Sequence, residues 1–170
     1  TTADTSNLAV LDTTPPGAPG ALDLAAGSDS NISTDDITSD NTPTVTGTGE
    51  VGATVTLTSN VNGPVGTAVV NGAGTWSITA SALTDGAQSL TATQTDVAGN
   101  TSIASGALAI TVDTLAPTVT DANISITSTG SGAGGAYIVG DTVTAQWNNT
   151  GAGDNNADVA GVTVNFSAFG

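Results

Sequence analysis

Carboxylates are the side chains in this sequence equipped for ionic chemistry. Fifteen of the 170 residues are Asp or Glu, none is Lys, Arg or His, and the formal net charge is −15. The acids are not scattered evenly. Asp29, Asp35, Asp36 and Asp40 crowd one stretch, Asp96 is followed four places on by Asn100, and Asp154 and Asp158 flank two asparagines. Asp12 and Asp113 each open an Asp-Thr sequence that leads to proline. A hard cation such as Ca2+ takes about six to eight oxygens from Asp, Asn, backbone carbonyls and water, so it is the partner this chemistry fits. The competing explanation is that Asp and Asn serve as turn formers, and for Asp96 to Asn100 both roles are open. Asp4, Asp23 and Asp141 read as plain surface acids.

The missing residue types exclude much. Without Cys or His there is no disulfide, no structural zinc site and no thiol or imidazole catalysis. Without Lys there is no Schiff base. A chain with no cation offers neither a phosphate clamp nor a basic patch, so nucleic acid and anionic membrane surfaces are poor partners. The glycine-rich stretch 130–135 lacks the Lys and following helix of a phosphate loop. Paired carboxylates can cleave glycosidic bonds, but only inside a walled cleft that raises one pKa. A thin domain with its acids on loops supplies no such cleft, and the protein is expected not to be an enzyme.

The elements that must carry these acids read as all-β. Threonine makes up almost a fifth of the chain and helix signals are nearly absent. Alternation predicts seven short strands around Leu22/Leu24, Val45, Val55/Leu57, Val65–Val70, Trp76/Ile78, Leu90/Ala92 and Leu108/Ile110/Val112. Turn signals separate them, including Asn62-Gly63-Pro64, Asn71-Gly72, Asp85-Gly86 and Asp96 to Asn100. This spacing predicts a β-sandwich. Trp76 and Trp147 are assigned to the core rather than to a sugar platform. No apolar run is long enough to cross a membrane as a helix.

An internal echo sets the organisation. Asn7-Leu-Ala-Val-Leu-Asp12-Thr-Thr-Pro-Pro resembles Ala107-Leu-Ala-Ile-Thr-Val-Asp113-Thr-Leu-Ala-Pro. Residues 1–12 are therefore expected to close a preceding domain, 13–113 to form one complete seven-strand domain, and 114–170 to begin another. That last piece shows three strands, around Ile124/Ile126, Val143–Trp147 and Val162–Phe166. Three strands expose an inner face. Together with the absence of an initiator Met or a signal peptide, this makes the chain read as an excerpt of a longer polypeptide.

In a sandwich the chain alternates between two ends, which sorts the acids. Asp29, Asp35, Asp36, Asp40, Asp85 and Asp113 fall at the C-terminal end. Asp12, Glu50, Asp96 and Asn100 fall at the N-terminal end. Asp121, Asp154 and Asp158 of the second piece are expected to face Asp113, Asp29 and Asp35 across the junction. There a bound Ca2+ would turn mutual repulsion into a stiff joint.

Several of these stretches resemble one family. Asp12-Thr-Thr-Pro-Pro-Gly-Ala-Pro, the Asp-rich 27–43 segment, Gly47-Thr-Gly-Glu, Gly74-Thr-Trp-Ser and Asp96-Val-Ala-Gly-Asn are similar to the bacterial immunoglobulin-like repeats of large surface adhesins. Those adhesins leave the cell through type I systems and include repeats-in-toxin adhesins and biofilm-associated proteins. The resemblance implies immunoglobulin-like sandwiches in tandem, here one complete and two partial, on the bacterial cell surface. It implies Ca2+ at the junctions, held by Asp12, Asp29, Asp35, Asp96 and Asp113. It also implies that neighbouring Ig-like domains are the partners, with any host or surface glycan bound by parts of the protein outside this chain. The Asp35-Asp36 pair departs from the family's usual Asp-Asn, which leaves the ligating acid open between them.

Three functions follow as expectations. The first is a structural spacer in an extracellular adhesin or surface fibre, stiffened by Ca2+. The second is a subunit of a filament, sheath or surface layer in which adjacent chains complete each other's sheets by strand addition. The third is a glycan-binding module, for which an exposed aromatic would be the mark.

Overall fold

The computed structural model describes residues 11–126 and 129–148. The chain divides into two compact units, Thr1–Leu115 and Ala116–Gly170.

The first unit is built from β1 (Gly20–Leu24), β2 (Ile37–Thr38), β3 (Thr44–Thr48), β4 (Thr54–Ser59), β5 (Gly63–Val69), β6 (Thr75–Thr79), β7 (Gly86–Thr95) and β8 (Leu108–Val112). One sheet has the order β1-β3-β6 and the other β2-β8-β7-β4-β5. Every pairing in these two sheets is antiparallel except β2 with β8. Val55 and Leu57 of β4 point inward while Thr54, Thr56 and Thr58 point out, where they lie opposite Thr95, Thr93 and Thr91. This period-two alternation fits a sheet with one buried face.

The core draws on both sheets. Leu24, Val45, Trp76 and Ile78 from the smaller one meet Val55, Leu57, Leu90, Ala92, Ile110 and Val112 from the larger. Each fully buried Val, Leu or Ile contributes about 1.5–3 kcal/mol. Gly47 lies directly across from Trp76, and a Cβ there would clash with the indole ring. The missing side chain is thus what gives the ring its place. The indole N–H donates to the Thr48 carbonyl at 3.1 Å, which satisfies the one polar atom the ring buries.

Two features depart from the predicted strands. The Asp-rich 27–43 segment, where alternation predicts no strand, contains β2, an eighth strand. Two residues are too few to show a period, and the partner lies some seventy positions away. The second feature is the stretch beyond Asn100, which runs beside the far half of β7 without regular strand geometry. The Ser102 and Ser105 N–H groups donate to the Gln94 and Ala92 carbonyls. Their hydroxyls accept the Gln94 and Ala92 N–H groups at 3.0 and 2.9 Å. Each serine thereby replaces a ladder residue, leaving no buried backbone group of β7 unpaired there.

The second unit contains β9 (Ile124–Ile126) and β10 (Ala145–Trp147), paired antiparallel with Ile124 opposite Trp147. Asp141, read from the sequence as a surface acid, ties a loop together. Its carboxylate accepts the Ser131 and Ile138 N–H groups at 2.9 and 2.8 Å and the Ser131 hydroxyl. The expected strand around Val162–Phe166 and the residues 1–10 assigned to a closing strand lie outside the described residues.

Candidate functional site

The acids of the first unit gather at two places. The first is the long connection between β1 and β3. Asp29 is 7% exposed although it is a carboxylate on a loop. Its Oδ1 has no hydrogen-bond partner. Asp35 and Asp36 lie close enough for their charges to act on the same carboxyl. Burial, followed by the charges of Asp35 and Asp36, raises the Asp29 pKa above the usual 3.8. Nearby, Asp40 accepts the Thr42 N–H at 2.8 Å and its hydroxyl at 2.9 Å, and serves as a turn former. Asp35 accepts the Ile37 N–H at 3.1 Å.

A buried oxygen without a donor, beside a second carboxylate, fits a cation. Among the described residues no three acidic side chains converge on a point that could hold a metal ion. A cation at Asp29 would therefore take the Asp29 and Asp35 carboxylates and complete its shell with backbone carbonyls and water.

The second place is the β7–β8 turn. Asp96 Oδ1 accepts the Ala98 and Asn100 N–H groups, both at 2.8 Å, and Oδ2 accepts from Asn100 Nδ2 at 2.9 Å. The Asn100 side chain and these backbone donors hold the Asp96 pKa below 3.8. Gly99 takes φ of +93°, which allows the tight turn. Asn100 Nδ2 also donates to the Asp12 carbonyl at 3.1 Å, bringing the incoming chain onto the turn. Turn chemistry fully occupies the near side of this carboxylate.

Asp12 and Asp113 behave alike. Asp12 Oδ1 accepts the Thr14 N–H and Asp113 Oδ1 accepts the Leu115 N–H, both at 3.0 Å. The echo in sequence is an echo in hydrogen bonding. Beyond Asp113, the Thr114 hydroxyl lies 2.9 and 3.0 Å from the two Asp85 carboxylate oxygens, pinning the exit to the β6–β7 connection. Asp121 stands in the 3-10 turn Asp121–Asn123 of the second unit. Asp154 and Asp158 lie outside the described residues.

A family model for the bacterial Ig-like domain matches residues 14–114. The chain belongs to that family. The match spans the two sheets just described and both acid groups of the first unit. Among solved structures, a biofilm associated protein BSP domain is similar at a TM-score of 0.42 and 21% identity, over 63% of this chain. The chain spans 16% of that structure. No curated protein matches.

What sequence reading missed in this bacterial Ig-like domain is a pair of buried glutamines. Gln94 Nε2 donates to the Gly17 carbonyl at 2.7 Å, and its Oε1 accepts the Glu50 N–H at 2.9 Å. Gln88 Oε1 accepts the Ser59 hydroxyl at 2.6 Å and its Nε2 donates to the Thr84 carbonyl at 2.8 Å. Both occupy inward positions of β7. A signal existed, since the alternation places them on the apolar face where a polar side chain needs partners.

The opposite shifts of Asp29 and Asp96 give the metal-free domain a pH signature. A raised folded pKa means that protonating Asp29 favours the fold, so its penalty disappears as pH falls from neutral toward about 4. A lowered folded pKa means that Asp96 contributes stability above 3.8 and loses it as pH falls through its depressed value. In chelator, the melting temperature relative to an Asp29→Asn variant is expected to rise between pH 7 and about pH 4. Parallel melting curves for the two proteins would contradict it.

Proposed function

We propose that the chain supplies spacer domains to an extracellular bacterial surface adhesin or fibre, with Ca2+ stiffening the joints between successive domains. The observation that carries this reading is the recurrence of one turn at both ends of the domain, Asp12 with Thr14 and Asp113 with Leu115. A module whose entry and exit carry the same turn is suited to repetition in series. Family membership supports the reading, as does the placing of acids beside each joint. Asp29, Asp35 and Asp36 lie at one end, with Asp113; Asp96 and Asn100 lie at the other, with Asp12. The role is mechanical and assigns no catalysis. Trp76, at 3% exposure, offers no face for a sugar, whereas Tyr137 of the second unit is 43% exposed, so among the described residues the glycan-binding reading rests on that residue alone.

The test is thermal unfolding with solution scattering, in Ca2+ and in excess chelator. A ligand at 100 times its Kd stabilises by about 2.7 kcal/mol per site. The expected result is a higher melting temperature and a stiffer, more extended particle with Ca2+. Identical melting and scattering profiles in the two buffers would remove the metal from the proposal.

A further inference from the structure

The loop that carries Asp29 and Asp35 also carries β2, and β2 is the parallel partner of the final strand. We infer that cation binding at the Asp29–Asp35 pair controls whether β2 stays docked on β8, so that Ca2+ sets how firmly the domain holds its last strand. This rests on the proposed Ca2+ role and adds what occupancy does inside the domain.

The link is short. The Thr111 N–H donates to the Asp36 carbonyl at 2.9 Å, and the Asp113 N–H donates to the Thr38 carbonyl at 2.8 Å. These two bonds flank the parallel pairing of β2 with β8, in which Ile37 lies opposite Thr111 and Thr38 opposite Val112. Asp36, which supplies one of the carbonyls, is held at φ of +58°. Asp tolerates this left-handed conformation, which marks a tight turn at the start of β2. The same turn brings the Asp36 charge close enough to act on the Asp29 carboxyl.

The Asp29 arm of the loop is tied directly to β2, since the Ser30 N–H donates to the Ile37 carbonyl at 3.1 Å and the Ser39 N–H to the Ser30 hydroxyl at 3.0 Å. The Asp29 N–H is anchored to the Ala25 carbonyl at 3.0 Å, and the Ser28 hydroxyl accepts the Thr44 N–H at 2.9 Å. Without a cation, Asp29 keeps a buried oxygen with no donor beside the Asp35 carboxylate. Any movement that relieves Asp29 is carried through the Ser30–Ile37 bond into β2 and loosens its bonds to β8. With a cation, the two carboxylates are drawn together and β2 is kept in place. β8 ends at Val112 and leads directly into the Asp113 joint, so the same cation would decide how well a pull on that joint is resisted.

The experiment is amide hydrogen exchange on the whole chain, read by mass spectrometry after peptic digestion, in Ca2+ and in chelator. Calorimetric titration with Ca2+ runs alongside it. The expected result is a loss of protection of about tenfold or more at Thr111 and Asp113 on chelation, with the β4 and β7 ladder unchanged. Asp29→Asn removes the repulsion and the ligand together, so its β2–β8 pairing is expected to stay protected and to ignore Ca2+. Ca2+ binding without a change at Thr111 and Asp113 would overturn this inference and leave the spacer reading standing. Absence of any Ca2+ binding would overturn both. Equal loss of protection across β4 and β7, or a chelator response in Asp29→Asn matching that of the parent, would also overturn the inference.

Discussion

Trp76→Ala is expected to cost about 3–5 kcal/mol, the largest loss from any single truncation in the first unit. A domain of this size is stable by only about 5–15 kcal/mol, so the variant should lose a large share of its stability. The reason lies in what surrounds the ring. The core is otherwise built from Val, Leu, Ile and Ala, and Trp76 is its one large aromatic. Gly47 has no side chain with which to refill the space, and the facing strand is already paired along its length with β6. Removal of the indole also leaves the Thr48 carbonyl without the donor it uses at 3.1 Å. Urea unfolding followed by circular dichroism would measure the loss. A change below about 1 kcal/mol would mean that the ring is not buried as described.

Gln94→Leu is expected to destabilise by about 2–4 kcal/mol, from two groups left without partners at about 1–3 kcal/mol each. The Glu50 N–H loses its acceptor in a part-buried turn, and the Gly17 carbonyl loses its donor. Gly17 is exposed and water can replace part of its bond, which keeps the total from the upper limit. The effect bears on the proposed function. Gln94 joins the segment before β1 to the body of the sandwich, and Asn100 joins Asp12 to the neighbouring turn. Loss of Gln94 should therefore loosen the incoming chain as well as the fold. Thermolysin is expected to cut before Leu22 faster in the variant under native conditions. Unchanged cleavage together with an unchanged urea midpoint would show that Gln94 holds nothing in place.

The fold class was legible because it depends on local periodicity. Thr54 to Thr58 alternates with Val55 and Leu57, and the buried face of β4 follows from that alone. The tight turn at Asp96 to Asn100 was legible for a similar reason, since the side chains that close it lie within four residues of one another. The buried character of Asp29 was not. Nothing nearby in sequence separates it from Asp35, which is exposed, because burial is decided by where the connection folds against Thr44 and Ser28. β2 was hidden for the same kind of reason. Its partner strand starts at Leu108, and no pattern within two residues can announce a pairing over that distance.

Composition and spacing sufficed for the negative charge, for an all-β chain without basic, thiol or imidazole chemistry, and for the echo of Asp12 at Asp113. Those properties depend on residue identity and on contacts a few positions apart. Tertiary structure decided which acid became buried with an unsatisfied oxygen, which glutamine reached back to Gly17, and which short segment closed on the last strand. Each of these is a meeting of groups far apart along the chain. Only the packing of two sheets brings them within the few ångströms over which hydrogen bonds and desolvation act.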